Sequence, residues 1–158
     1  MYEIKKTYKD YNGVERTEVF RFNFSEAEVL EMEATTDGGL LDYFQRIIDA
    51  KDGKTVITAF KELVLKAYGV KSDDGKYFDK TKEVKEKFTQ TQAYSDIFVE
   101  LAMDDKAGAA FMKAIMPDTL SDTIKKYLEN RSDAIGEEYR AKLKAMEEEI
   151  KPALTPVN

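Results

Sequence analysis

The chain contains neither cysteine nor histidine. The first absence removes disulfides, thiolate nucleophiles and zinc–thiolate sites. The second removes the commonest general base and the commonest transition-metal ligand. No Ser/His/Asp or Cys/His set is possible, and no spacing nominates a carboxylate pair in their place. The expectation is a protein that is not an enzyme and carries no cofactor and no metal.

Long apolar runs are also missing. Nothing approaches the length of a membrane span, so no membrane association is expected. The opening MYEIKKTYKDY lacks the apolar stretch of a signal peptide, which makes the cytoplasm the expected address. A basic excess is lacking as well: net charge is −6 and the pI is near 4.9. Displacing counterions from nucleic acid calls for a basic footprint, so nucleic acid is not an expected partner.

What remains is 158 residues, 42% hydrophobic and 35% charged. That suits one compact body with a soluble surface and room for an arm or tail. Apolar and polar residues alternate around Tyr2, Ile4 and Tyr8, and again around Phe20, Phe22 and Phe24, with Asn12-Gly13 between them. A two-residue loop would set Ile4 opposite Arg21 and split the aromatics between two faces. A three-residue loop pairs Ile4 with Phe20 and Tyr2 with Phe22, with Gly13 left-handed in a G1 bulge. The second register gives one buried face and is preferred. A lone ribbon is marginal in water. The hairpin therefore either packs on helices or pairs between copies through Tyr2, Ile4, Phe20 and Phe22, and both readings stay open.

Helical periodicity follows. Ser25-x-x-Glu28 has the form of a capping box opening a helix over 26–34, broken by Thr36-Asp37-Gly38-Gly39. Leu40, Tyr43, Phe44, Ile47 and Ile48 form a second stripe, and Val56, Phe60, Leu63, Val64 and Ala67 a third. Thr55 is the expected N-cap of that third helix and Gly69 its C-cap. Thr81 then caps a charged helix carrying Val84 and Phe88. Tyr94, Ile97, Phe98, Leu101 and Ala102 repeat the stripe, as do Ala107, Ala110, Phe111, Ala114 and Ile115. Small residues in the last set allow close helix approach. Past Pro117, Ile135, Tyr139, Leu143, Met146 and Ile150 make a weaker seam.

The expected fold is mainly α: a small helical domain of five or six helices with an N-terminal β-hairpin and a C-terminal helical or mobile tail. The expected divisions are a hairpin arm over 1–24, a helical core over 25–117 and an extension over 118–158.

Candidate chemistry is thin. Ser72-Asp73-Asp74-Gly75 resembles a calcium loop, but with Gly75 at position six the loop places Val70 first and Thr81 twelfth, where Asp and Glu are needed. An acidic turn between helices is the better reading. Asp104-Asp105 suits the start of a helix. Gly38-Gly39 precedes a helix, but no Lys-Ser/Thr follows as a phosphate loop requires. Met112 and Met116, beside Phe111 and Ile115, suit either core packing or an adaptable surface for an apolar helix. A partner groove is expected on the helices bearing Tyr94, Phe98 and Leu101, and Phe111, Met112 and Met116.

One stretch carries a family likeness. Phe60-Lys-Glu-Leu-Val-Leu-Lys-Ala-Tyr68-Gly-Val-Lys-Ser-Asp-Asp-Gly75, then Tyr77-Phe78, leads into Phe88-Thr-Gln-Thr-Gln-Ala-Tyr94-Ser-Asp-Ile-Phe98-Val-Glu-Leu101-Ala, followed by Ala107-Gly-Ala-Ala-Phe111 and Ile115-Met-Pro117. Together these resemble the tail assembly chaperones of long-tailed bacteriophages, particularly those of Gram-positive hosts. The resemblance implies a small acidic helical protein that coats the tape measure protein, keeps it soluble and leaves as tail tube subunits polymerise. It further implies action in the host cytoplasm and no retention in the virion, while the hairpin is the ground for expecting a homo-oligomer. In that family a frameshifted longer form recruits the tail tube protein. The alternatives are a tail-completion or head–tail joining protein of the virion, or a generic helical interaction module.

Overall fold

The computed structural model describes residues 1–40, 43, 52–116, 141, 144, 145 and 148. The chain divides into two compact units, residues 1–25 with 50–117, and residues 26–49 with 118–158.

The first unit begins with β1 (Tyr2–Lys9) and β2 (Glu15–Phe22), paired antiparallel with Ile4 opposite Phe20 and Tyr2 opposite Phe22. This is the register of the three-residue loop. Gly13 is left-handed at φ 78°, and its N–H donates to the Asp10 carbonyl at 2.9 Å. Asp10 locks the loop further, its carboxylate accepting from the Asn12 and Val14 amides at 2.9 and 3.0 Å.

Helix α2 (Gly53–Ala67) buries Ala59, Leu63, Val64 and Ala67, four members of one apolar face. Its N-cap is Asp52 rather than the expected Thr55: the Asp52 carboxylate accepts the Thr55 amide and hydroxyl hydrogens. The charged side chain three residues upstream serves the exposed N–H groups better than a hydroxyl inside the first turn.

The expected C-cap at Gly69 is also corrected. The helix stops at Ala67, Tyr68 is extended, and Gly69 lies in strand β3 (Tyr68–Lys71). A Cβ at Gly69 would meet the Phe78 ring at 2.6 Å, so the glycine is there for close approach. The acidic turn therefore joins strands, not helices. β3 pairs with β4 (Phe78–Asp79), and the sheet is four-stranded in the order β1-β2-β3-β4.

Helix α3 (Lys82–Thr89) follows Thr81 as expected, although the Thr81 hydroxyl makes no capping bond. Lys82–Glu86 and Glu83–Lys87 pair across its solvated face at 3.5 and 2.9 Å. Helix α4 (Gln92–Met103) is capped by Thr91, which accepts the Tyr94 amide at 3.1 Å. Helix α5 (Asp105–Ile115) is capped by Asp104, which accepts from the Lys106 and Ala107 amides at 2.9 and 3.1 Å.

The core lies between one face of the sheet and these helices. Phe22 and Phe111, both fully buried, meet edge-to-face at 5.2 Å. Beyond β2 the chain hooks onto two helix ends: Asn23 donates to the Ala67 carbonyl at 2.9 Å and Phe24 to the Ile115 carbonyl at 3.0 Å. Those carbonyls have no partner within their own helices, so the hooks tie sheet and helices together.

In the second unit, helix α1 (Glu26–Thr35) starts directly after Ser25 and buries Val29. The breaker is a real turn, with Gly38 and Gly39 left-handed at φ 77° and 78°. Residues 39, 40 and 43 are helical, and the rest of the stripe through Ile48 lies outside the described residues, as does the seam from Ile135 to Ile150. Positions 141, 144, 145 and 148 are helical and exposed. The hairpin-plus-helices architecture is as expected, with five helices among the described residues. The sheet is larger than expected, because β3 and β4 extend it.

Candidate functional site

The residues expected to grip a partner separate into two groups. Leu101 and Phe111 are core side chains, 7% and 0% exposed. They support the surface from beneath. Tyr94, Phe98, Met112 and Met116 are half-buried. Tyr94 and Phe98 stack one helical turn apart, centroids 5.8 Å, and Phe98 rests against Phe60 of α2 at 6.0 Å. Partial burial pushes the Tyr94 hydroxyl pKa up.

The hairpin residues Tyr2, Ile4, Phe20 and Phe22 share the sheet face that covers the helices. Tyr2 packs edge-on against Phe111 at 5.7 Å, and Phe20 lies 5.5 Å from Phe88. Their side chains serve the packing of the hairpin on helices.

An apolar recess lies elsewhere. The β2–β3 ladder stops after two pairs, Phe22 with Tyr68 and Arg21 with Gly69. Past them a groove of about 300 Å³ opens, walled by Tyr8, Glu18 and Phe20 of the hairpin, Tyr68 and Val70 of β3, and Val84, Lys87, Phe88 and Thr91. Its floor is aromatic: Tyr68 stacks on Phe88 at 3.8 Å. Val70, 48% exposed, and Val84 form the apolar lip.

Two charged residues, Glu18 and Lys87, are among the walls. The Tyr8 hydroxyl donates to the Glu18 carboxylate. That bond, helped by partial burial and by the Glu18 charge, pushes the Tyr8 pKa up to about 12. Burial also raises the Tyr68 pKa. Both phenols stay neutral through the physiological range, as an apolar groove requires.

The other candidate motifs resolve locally. Asp74 accepts from the Ser72 hydroxyl at 2.7 Å and the Lys76 amide at 3.1 Å, which holds its carboxyl below the usual range. At Gly38-Gly39 the amide that a phosphate would need, that of Leu40, already donates to Glu33 at 2.7 Å. Among the described residues no three acidic side chains converge as a cation site would require, and no helix is long and apolar enough to cross a membrane.

The groove was not nominated from sequence. Its walls come from segments far apart in the chain, and the one local signal was Val84 and Phe88 at i, i+4.

The groove is an apolar recess on the surface of a body built from one sheet and the helices packed on it. The chain belongs to the phage tail assembly chaperone family, whose pattern it matches over residues 1–155. No curated protein and no solved structure matches it. Its partners are accordingly proteins of tail assembly.

Proposed function

We propose that this chaperone binds the tape measure protein, keeps it soluble and releases it as the tail tube polymerises. The observation that carries the reading is the apolar groove beside Val70 and Val84 on a protein of this family. An amphipathic helix docks by placing side chains one turn apart into such a recess. A volume of about 300 Å³ takes a few side chains of one helix face, not the whole helix. Many weak, reversible contacts along a long partner fit a coat that must later leave. The net charge of −6 keeps the coated complex soluble.

The Tyr94–Phe98 and Met112–Met116 surface is a second part of the proposed partner face, with Leu101 and Phe111 supporting it. Copies associate on the partner, and the tube protein takes their place. Action is in the host cytoplasm, and mass spectrometry of purified virions is expected to lack this chain.

The test is co-expression with the tape measure protein. Val70→Asp with Val84→Asp is expected to reduce co-purification at least about tenfold while helical content is unchanged, since each places on the accessible lip a charge that a docked apolar helix would have to bury. Met112→Asp with Met116→Asp tests the second surface. If the groove pair leaves co-purification intact, the groove reading fails. If both pairs do so in folded protein, the tape measure reading fails with it.

A further inference from the structure

The outer edge of β1 carries a self-complementary charge pattern. Asp10 donates its backbone N–H to the Val14 carbonyl at 2.9 Å, which marks that pair as hydrogen-bonded. Hydrogen-bonded pairs alternate along an antiparallel ladder, so Tyr2, Ile4, Lys6 and Tyr8 turn their backbone groups toward β2. Glu3, Lys5, Thr7 and Lys9 turn theirs away from it, and their side chains are exposed. Among the described residues no strand pairs with this edge, which begins the order β1-β2-β3-β4.

We propose that this edge pairs with the same edge of a second copy, antiparallel about a two-fold axis at Lys6, doubling the four-stranded sheet. In that register Glu3 of each copy, whose carboxylate also accepts from Arg21 of its own chain at 2.7 Å, faces Lys9 of the other, and Lys5 faces Thr7. On the helix-covered face Ile4 meets Tyr8, an aliphatic–aromatic pair. Two lysines meet at the axis, but each Lys6 is already bonded to Glu100 of its own chain, which offsets the repulsion.

Shifting the register by two residues sets Lys5 against Lys5 and leaves Glu3 opposite Thr7, with no opposite-charge pair. Shifting it by four sets Glu3 on Lys5 but shortens the overlap. The acid at one end of β1 and the base at the other favour a second copy over a foreign strand.

The inference rests on the self-association assigned above, and it is separable from tape measure binding because it is read without that partner. Sedimentation equilibrium is run on the full chain, on Glu3→Lys, on Lys9→Glu, and on an equimolar mixture of the two variants. The wild type is expected to dimerise. Each variant alone places two like-charge pairs across the axis and is expected to weaken association about tenfold. In a mixed dimer the Glu3→Lys copy presents a base at both ends of β1 and the Lys9→Glu copy an acid at both. Both pairs across the axis are then again of opposite charge, and the mixture is expected to associate as tightly as wild type. Thr7→Pro, whose lost N–H faces away from β2, is expected to abolish pairing with the hairpin intact. A wild type that stays monomeric, single variants that associate normally, or a mixture no tighter than its components would overturn the proposal.

Discussion

Tyr68 and Phe88 stack face to face, ring centroids 3.8 Å apart and 13° from parallel. The pair joins β3 to α3 and forms the floor of the groove. Phe88 also lies 6.1 Å from Phe22 and 5.2 Å from Tyr94, so it connects sheet and helices. Truncating a 2%-exposed ring at such a junction leaves a void that rigid neighbours cannot fill. Phe88→Ala is expected to cost about 3–5 kcal/mol in denaturant unfolding. Phe88→Leu, which retains most of the volume, is expected to cost clearly less.

Gly108 sets how closely α4 and α5 approach. A Cβ there would lie 2.7 Å from the Leu101 carbonyl oxygen. That atom is backbone and cannot swing aside, so the helices must part. Replacing glycine in a helix ordinarily gains about 1 kcal/mol. Here overpacking is expected to win, and Gly108→Ala should lower stability by about 1–3 kcal/mol in urea melts.

Much of the first unit is legible in the sequence because its signals are local. Asn12-Gly13 and the flanking alternation specify the hairpin register, and the apolar stripes locate α2, α4 and α5. The β3–β4 pair is not legible. Gly69 after a helical stripe reads as a C-cap, and only the non-local approach of Phe78 explains a glycine in a strand. The groove is hidden for a related reason. Tyr8, Val70 and Val84 meet only once the sheet has formed. Periodicity identifies an apolar face but not what covers it. Phe111 and Met112 are adjacent on one helix, yet only the first is fully buried.

Asp104 serves two helices at once. Its amide donates to the Glu100 carbonyl at 3.2 Å, closing α4, while its carboxylate accepts two amides at the start of α5. Alanine preserves the first bond and removes the second pair. Asp104→Ala is expected to cost about 1 kcal/mol, and Asp104→Asn only a fraction of that, in thermal or urea unfolding.

The hairpin loop should loosen in acid. Arg16 donates to the Asp10 carboxylate at 2.6 Å, and with the Val14 and Asn12 amides it holds the Asp10 pKa below the usual aspartate value. A carboxyl depressed on folding binds protons less readily in the folded state. Its contribution is therefore fully present above the ordinary aspartate pKa, and it is lost as pH falls through the lower folded value. Tyr8 behaves in the opposite sense. Its pKa near 12 means the neutral phenol is favoured by folding, and that contribution is lost as pH rises from 10 through 12. Proton NMR titration of the hairpin is expected to show Asp10-linked shifts below the ordinary aspartate range, with Arg16→Ala moving them upward. Tyrosinate absorbance should show Tyr8 ionising late alongside the burial-raised Tyr68 and Tyr94, and Glu18→Ala should bring the Tyr8 step back toward the ordinary value. A Tyr8 that titrates normally in wild type would mean that the Tyr8–Glu18 bond does not form at the groove rim.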